Sequence, residues 1–326
     1  MPELSLIEAI NAALHQALDE DASTLVFGED VGIDGGVFRA TDGLHARFGG
    51  ERVRDTPLSE TLIAGMAVGA AAQGLRPVAE IQFMGFIYPA IDQLVNHASR
   101  MRTRTRGRLH CPMVLRAPYG GGVRAPEHHS ESTEAMLTHI PGLRVVVPSS
   151  PSRGYGLLLG AIRDPDPVVF LEPKRLYRAS REEVTLDAEP APLDRCFVLR
   201  EGGDLTFVTW GAMTTEVLAA SADLEAEGID AEVIDVATLS PLDHAPILES
   251  VHKTGRCVVV HEAGHTGGYG GEIAARIAEH AMLSLVAPIR RVTGLDTVMP
   301  LPRLEALYMP SIARITRAAR EVVEYS

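Results

Sequence analysis

The chain has 326 residues with 43 acidic and 30 Lys/Arg side chains, a formal net charge of −13, 46% hydrophobic and 22% charged residues. That composition is ordinary for a globular protein long enough for two domains, and so acidic a balance argues against general nucleic-acid binding, which needs concentrated Lys and Arg against phosphate. The opening MPELSLIEAI lacks a basic start and an uninterrupted apolar core, and no apolar run reaches the roughly 18 residues that span a bilayer, so a cytoplasmic protein without a membrane partner is expected.

Leu4 to Glu20 is patterned as a helix and TLVFGED (Thr24 to Asp30) as a strand. RVRDTPLSE (Arg52 to Glu60) then carries a carboxylate from a strand end directly into TLIAGMAVGAAAQG (Thr61 to Gly74), a small-residue helix suited to close packing on every side. Pro57 sets the turn, Ser59 is the expected N-cap, and Glu60 falls in the first turn near the positive end of the dipole. Complementing that dipole is by itself a sufficient reason for Glu60; chemistry is the alternative. RPVAEIQF (Arg76 to Phe83) reads as a strand and Ala90 to Arg104 as a helix.

SRMRTRTRGR (Ser99 to Arg108) has arginines at alternating positions. As a strand it would present a guanidinium face for a subunit or acidic groups; as a helix end it would spread a solvated basic surface. CPMVLRAP (Cys111 to Pro118), LRVVVP and PVVFLEP (Pro167 to Pro173) read as strands and Pro151 to Arg163 as a helix. The alternation predicts a mostly parallel sheet with helices on both faces.

RASREEVTLDAEPAPLDR (Arg178 to Arg195) has linker composition, after which the pattern restarts. Strands are expected at DLTFVTWG, IDAEVIDV, RCVVVHEA and IRRVTG, and helices near Thr214 to Gly228, Gly271 to Leu283 and Ile312 to Glu324. The fold class is therefore α/β, with two domains of mostly parallel sheet. Cys111, Cys196 and Cys257 are too scattered for a disulfide framework or a Cys-rich metal site. Three glycine-rich segments, Gly32 to Gly43, Gly120 to Arg124 and Gly264 to Glu272, are loose candidates for close approach to phosphate, although none has Walker or dinucleotide spacing.

In chain order, FGEDVG (Phe27 to Gly32), GGVFRAT, RVRDTPLSE, GLRPVAEIQF, GGG (Gly120 to Gly122), HHSES (His128 to Ser132), PGLRVVVPSSP, EPKRLYR and KTGRCVVVHEA resemble the beta subunit of thiamine-diphosphate-dependent 2-oxoacid dehydrogenases, pyruvate or branched-chain type. The resemblance covers nearly the whole chain. It implies a transketolase-like pyrimidine-binding domain over 1–185, the end of a linker over 186–195, and a transketolase C-terminal-like domain over 196–326.

The same resemblance implies site residues. Glu60 is placed against the aminopyrimidine ring nitrogen of thiamine diphosphate, with Leu58, Gln82 and Phe86 lining the cofactor pocket and Tyr88 on its wall. His129 is placed to hold the substrate carboxylate and serve acyl delivery to a lipoyl thiol, a task suited to a group that titrates near neutrality. EHHSESTEA departs from the family pattern at Glu131 and Thr133, and His128 offers a second imidazole.

Asp164 in AIRDPDP matches a place where some relatives bind structural potassium, whereas the residues alone read as a helix C-terminal turn stopped by Pro165. The family's usual magnesium and diphosphate anchor, Gly-Asp-Gly followed by Asn-Asn, is absent from the sequence. An alpha subunit is therefore implied to hold Mg²⁺ and the diphosphate in an α₂β₂ heterotetramer, with a lipoyl-bearing dihydrolipoamide acyltransferase as the next partner. Two other readings remain open: an acetoin dehydrogenase beta subunit, and a non-catalytic transketolase-like assembly or regulatory subunit.

Overall fold

The computed structural model describes residues 1–325. They form two compact units, one from Met1–Tyr119 and Met136–Leu193, the other from Gly120–Ala135 and the chain from Asp194 onward. The division expected from the sequence, at 186–195, differs in leaving Gly120–Ala135 with the first half.

Unit one opens with strand β1 (Glu3–Ser5) and helix α1 (Leu6–Glu20). The helix starts where the Glu8 carboxylate accepts both the Ser5 N–H and its hydroxyl at 2.7 Å. Six strands follow: β2 (Thr24–Gly28), β3 (Val53–Asp55), β4 (Arg76–Glu80), β5 (Val114–Tyr119), β6 (Arg144–Val146) and β7 (Val168–Pro173). All pair parallel, in the order β6-β7-β5-β4-β2-β3. β5 and β7 are buried at every position, as strands covered on both faces require.

The connections carry α2 (Leu44–Phe48), α3 (Glu60–Ala72), α4 (Ile91–Asn96), α5 (Met101–Arg104), α6 (Glu134–Thr138) and α7 (Pro151–Arg163). α3 is not packed on every side. Ile63, Ala64, Ala67 and Ala71 face the core, while Thr61, Leu62 and Gly69 are exposed.

The continuous helix expected over Ala90 to Arg104 is broken into α4, a 3₁₀ turn at Ala98–Arg100 and α5. At the break the Ser99 hydroxyl bonds the Val95 carbonyl at 2.9 Å, a side-chain bond to backbone of the kind that bends helices. The arginine-rich segment therefore adopts the helical alternative, with Arg102 paired to Asp166 at 2.7 Å. The polar stretch expected as linker is also more ordered than its composition predicts. It contains β8 (Arg181–Glu183), antiparallel to β1, and Ala191 donates to the Gly156 carbonyl at 3.0 Å.

Unit two contains β9 (Phe197–Arg200), β10 (Leu205–Thr209), α8 (Met213–Glu225), β11 (Ala231–Asp235), β12 (Thr238–Ser240) and α9 (Ala245–Thr254). β13 (Cys257–Val260), α10 (Gly270–Ala281), β14 (Arg290–Val292), α11 (Glu305–Tyr308) and α12 (Ile312–Val323) complete it. Its five-stranded sheet has the order β14-β13-β10-β11-β9, parallel except for β9 at the edge. β9 and α9 are elements the sequence pattern does not reveal: β9 is only half-buried along its length, and α9 spans only Ala245–Thr254. All three cysteines are free thiols.

Candidate active site

Two strand ends of unit one bring together an acidic cluster. β2 ends at Gly28 and delivers Glu29 and Asp30; β3 leads through Pro57 and Leu58 to Ser59, the N-cap of α3. The Ser59 hydroxyl accepts the Leu62 N–H at 3.4 Å, so the expected cap is present and Glu60 becomes the first residue of the helix. The Ser59 N–H turns instead to the Glu29 carboxylate. Gln82, just past β4, donates to Asp30 Oδ2 at 2.8 Å. Glu29, Asp30, Glu60 and Gln82 thus belong to one polar cluster.

Glu29 is the unforeseen member. It is 8% exposed, and its Oε1 is buried without a hydrogen-bond partner. Burial raises its pKa first, and the charges of Glu60 and Asp30 raise it further against the lowering effect of the Ser59 N–H. Glu60 itself is half-buried. The signal for Glu29 lay in GED directly after an apolar strand, at the carboxyl end of a parallel sheet where ligand sites collect.

An aromatic wall adjoins the cluster. Phe86 meets Phe83 edge-on at 5.6 Å, and Phe83 meets Phe38 edge-on at 5.5 Å. Phe86 is half-buried, whereas Leu58 is 81% exposed and Tyr88 is also exposed.

Beneath lies a charged hub. Arg116 on β5 grips Glu172 of β7 with Nε at 2.6 Å and Nη2 at 2.9 Å, and reaches Glu80 of β4 with Nη1 at 2.8 Å. Tyr177 donates to Glu172 at 2.6 Å. All four side chains are buried; burial raises the pKa of Glu80 and, strongly, that of Tyr177. The hub ties three adjacent strands together below the residues that follow β4.

His129 lies in unit two, in the segment Gly120–Ala135. It ends a 3₁₀ turn, Glu127–His129, and donates its N–H to the Pro126 carbonyl at 2.9 Å. His129 is half-buried and His128 exposed. Unit two also has a cavity of about 270 Å³ that includes Ser130, Ser132, Asp296 and Tyr308 in its lining.

Each of the three glycine-rich segments gives N–H groups to the protein's own carboxylates. Gly32 and Ile33 donate to Asp55 at 2.6 and 3.4 Å. Thr266 donates to Asp296 through its N–H at 2.8 Å and its hydroxyl at 2.7 Å. Gly121 donates to Glu262 at 2.9 Å, while Gly122 and Arg124 donate to Glu305 at 2.7 and 2.8 Å.

Asp164 caps the C-terminus of α7. Its carboxylate pairs with Arg144 at 3.1 Å and accepts the Asp166 N–H at 2.8 Å. Arg76 donates to the carbonyls of Ile162 and Asp164 at 2.9 and 3.4 Å, so arginine already occupies part of this turn. Among the described residues no group of three or more His, Cys, Asp and Glu is arranged to hold a metal, and no helix is long and apolar enough to cross a membrane.

Comparison with known proteins divides the chain into the two consecutive domains expected from the sequence, with Gly120–Ala135 in the first. The family model "Transketolase, pyrimidine binding domain" matches residues 2–180 and "Transketolase, C-terminal domain" matches residues 194–315. The pyruvate dehydrogenase E1 component subunit beta of Acholeplasma laidlawii is 49% identical over 324 residues, 99% of each chain. Its Bacillus subtilis counterpart is 47% identical over 100% of both chains. The chain belongs to the 2-oxoacid dehydrogenase beta subunits. Within this family, the mitochondrial 2-oxoisovalerate dehydrogenase subunit beta 2 of Arabidopsis thaliana is 50% identical over 99% of this chain and 90% of its own. A split-gene transketolase, solved as an inactive beta4 tetramer, superimposes with a TM-score of 0.82 over 99% of both chains at 24% identity, which establishes the shared fold.

Proposed function

We propose that this beta subunit, joined to an alpha subunit, decarboxylates a 2-oxoacid on thiamine diphosphate and passes the acyl group to lipoyl groups of an acyltransferase. The observation that carries the reading is the placement of Glu60 on the first turn of α3 beside Glu29, whose buried Oε1 awaits a donor. Such a pocket fits the pyrimidine end of thiamine diphosphate. Glu60 would take the hydrogen bond to the ring nitrogen, Gln82 would border the ring, and Phe86 and Leu58 would bracket it. When bound, the cofactor supplies the nucleophilic carbon and the electron sink for loss of carbon dioxide.

The chain's own part is to hold a proton and exclude water. Burial, and then the charges of Glu60 and Asp30, raise the Glu29 pKa and favour its protonated form. His129 provides an imidazole to hold the substrate carboxylate and to move a proton at the accepting thiol.

An alpha partner supplies what this sequence lacks, the magnesium and diphosphate ligands. The open sides of Leu58 and Leu62 around α3, and the exposed run Leu295, Val298, Leu301, Leu304 and Leu307, are apolar surface of the kind subunit contacts cover. Identity to pyruvate and 2-oxoisovalerate dehydrogenase subunits is nearly equal, so pyruvate and branched-chain 2-oxoacids both stand as substrates.

The test is co-expression with the alpha subunit and assay of decarboxylation on pyruvate and 3-methyl-2-oxobutanoate with thiamine diphosphate and magnesium. Activity should require both chains and fall by about 10²-fold or more in Glu60→Gln, the range set by loss of a positioned proton-transfer group. Wild-type turnover in that variant would remove Glu60 from the mechanism. A verified, cofactor-loaded complex silent on both acids would overturn the substrate assignment.

A further inference from the structure

The glycine run Gly120–Gly122 binds two of the protein's own carboxylates, and they come from far along the chain. Glu305 stands at the start of α11 and is 4% exposed; Glu262 follows β13 and is 2% exposed. Glu305 accepts the N–H groups of Gly122 and Arg124, one on each oxygen. Glu262 Oε2 accepts Gly121 N–H at 2.9 Å and the Ser132 hydroxyl at 3.5 Å. These bonds hold both ends of the loop that carries His128 and His129.

The glycines are what permit so close an approach. A Cβ on Gly120 would sit 2.6 Å from Glu262 Oε2, and one on Gly121 would sit 2.6 Å from the Met299 methyl. Gly120 and Gly122 also have φ of 82° and 84°, in the left-handed region that glycine enters at least cost. Between the anchors the loop closes on itself. Gly120 donates to the Glu131 carbonyl at 2.9 Å, and the Ser130 hydroxyl bonds the Ala125 and Pro126 carbonyls at 3.3 and 3.2 Å. The segment has no long helix or strand of its own, so its shape depends on the two carboxylates.

We propose that Glu305 and Glu262 are positioning residues that hold the Gly120–Ser132 loop so that His129 is presented for acyl transfer. The inference rests on the role assigned above to His129. A carboxylate is required because both its oxygens only accept, matching two N–H donors. In Glu305→Gln one oxygen becomes an NH₂ group facing the N–H of Gly122 or Arg124. The geometry then loses one bond and gains a donor–donor clash without losing volume.

The decisive experiment is a double-mutant cycle in the assembled, cofactor-loaded enzyme, combined with amide hydrogen exchange. Glu305→Gln should speed exchange at Gly122 and Arg124 and slow lipoyl acylation by about tenfold or more, the scale of loss from displacing a reacting group. Thiamine diphosphate affinity should stay near wild type. In a His129→Ala background the Glu305→Gln effect on acylation should vanish, because the two residues act as one unit.

An unchanged effect of Glu305→Gln in that background, or unchanged exchange at Gly122 and Arg124, overturns the positioning role. His129→Ala acylating at the wild-type rate would instead refute the role of His129, while the exchange data still report on the clamp. If Glu305→Gln does not fold, Glu262→Gln tests the other anchor through exchange at Gly121 and the same acylation assay. Wild-type behaviour in both readouts would again refute the proposal.

Discussion

Unit one contains two acidic clusters at the carboxyl ends of neighbouring strands, and they are neutralised differently. Glu80 and Glu172 share Arg116, with Tyr177 completing the Glu172 shell. Glu29, Asp30 and Glu60 have a glutamine and a backbone N–H for company, and burial, followed by the like charges, pushes the Glu29 pKa up. The arginine fixes Glu80 and Glu172 in place through its hydrogen bonds, although burial still raises the Glu80 pKa. Glu29 has no such cation among the described residues, and its raised pKa favours its protonated form relative to an ordinary carboxyl. The two clusters lie close in space: Glu29 follows Gly28, which pairs with Glu80 and where an added Cβ would meet the Glu80 carbonyl at 2.6 Å.

Removing the arginine is the harshest way to break the contrast. Arg116→Met leaves Glu80 and Glu172 buried without their counter-charge and should destabilise unit one by about 3–5 kcal/mol. Thermal or urea unfolding of the isolated chain reads this directly. A triple variant with Glu80→Leu, Arg116→Met and Glu172→Leu should recover much of that loss, because apolar replacements remove the desolvation penalty together with the attraction. Recovery would show that the hub serves stability; failure would show that its polar bonds also specify the strand ends.

Converting Glu29 sharpens the other side. Glu29→Gln keeps an oxygen for the Ser59 N–H and removes the repulsion with Glu60 and Asp30, so the folded chain should gain about 0.5–1.5 kcal/mol, the scale of one neutral hydrogen-bond or charge effect. The pH dependence carries the sign. Glu29 has a raised folded pKa, so its contribution to stability is present below its unfolded value and is lost as pH rises through the folded value. The stability gap between wild type and Glu29→Gln should therefore widen above the ordinary carboxylate range and close below it. A gap independent of pH would mean that Glu29 is not the proton-holding member of the pair.

The sequence made these two clusters unequally visible. Ser59 and Glu60 were legible because a cap before a small-residue helix has a local signature. The parallel strands were legible as apolar runs, most clearly at β5 and β7. Glu29 was hidden because GED reads equally well as a turn, and its neighbour Ser59 approaches only after β2 and β3 pair. The loop anchors were less accessible still: Gly121 and Glu262 are 141 residues apart, Gly122 and Glu305 are 183 apart, and no local pattern connects them. The glycines signalled close approach correctly, but they could not say that the approaching anion would be a glutamate of the same chain.

Unit two provides the mildest test, through a buried base that is kept neutral instead of a buried acid. His261 stacks on Trp210 with centroids 5.1 Å apart and is fully buried. Gly268 and Gly270 crowd it, since a Cβ on either would come within 2.6 or 2.7 Å of the ring. Burial pushes its pKa down to about 3. Unfolding restores the ordinary value near 6.5, so the unfolded chain binds the extra proton between those limits and stability falls as pH drops from about 6.5 toward 3. Replacing His261 by Phe keeps the stack on Trp210 and abolishes that proton uptake. The variant should match wild type to within about 1.5 kcal/mol at pH 7.5, as a near-isosteric core exchange does, and become progressively more stable than wild type as pH falls below 6.5. Parallel pH–stability curves for the two proteins would place the acid sensitivity elsewhere in the fold and leave the stacked imidazole a purely steric role.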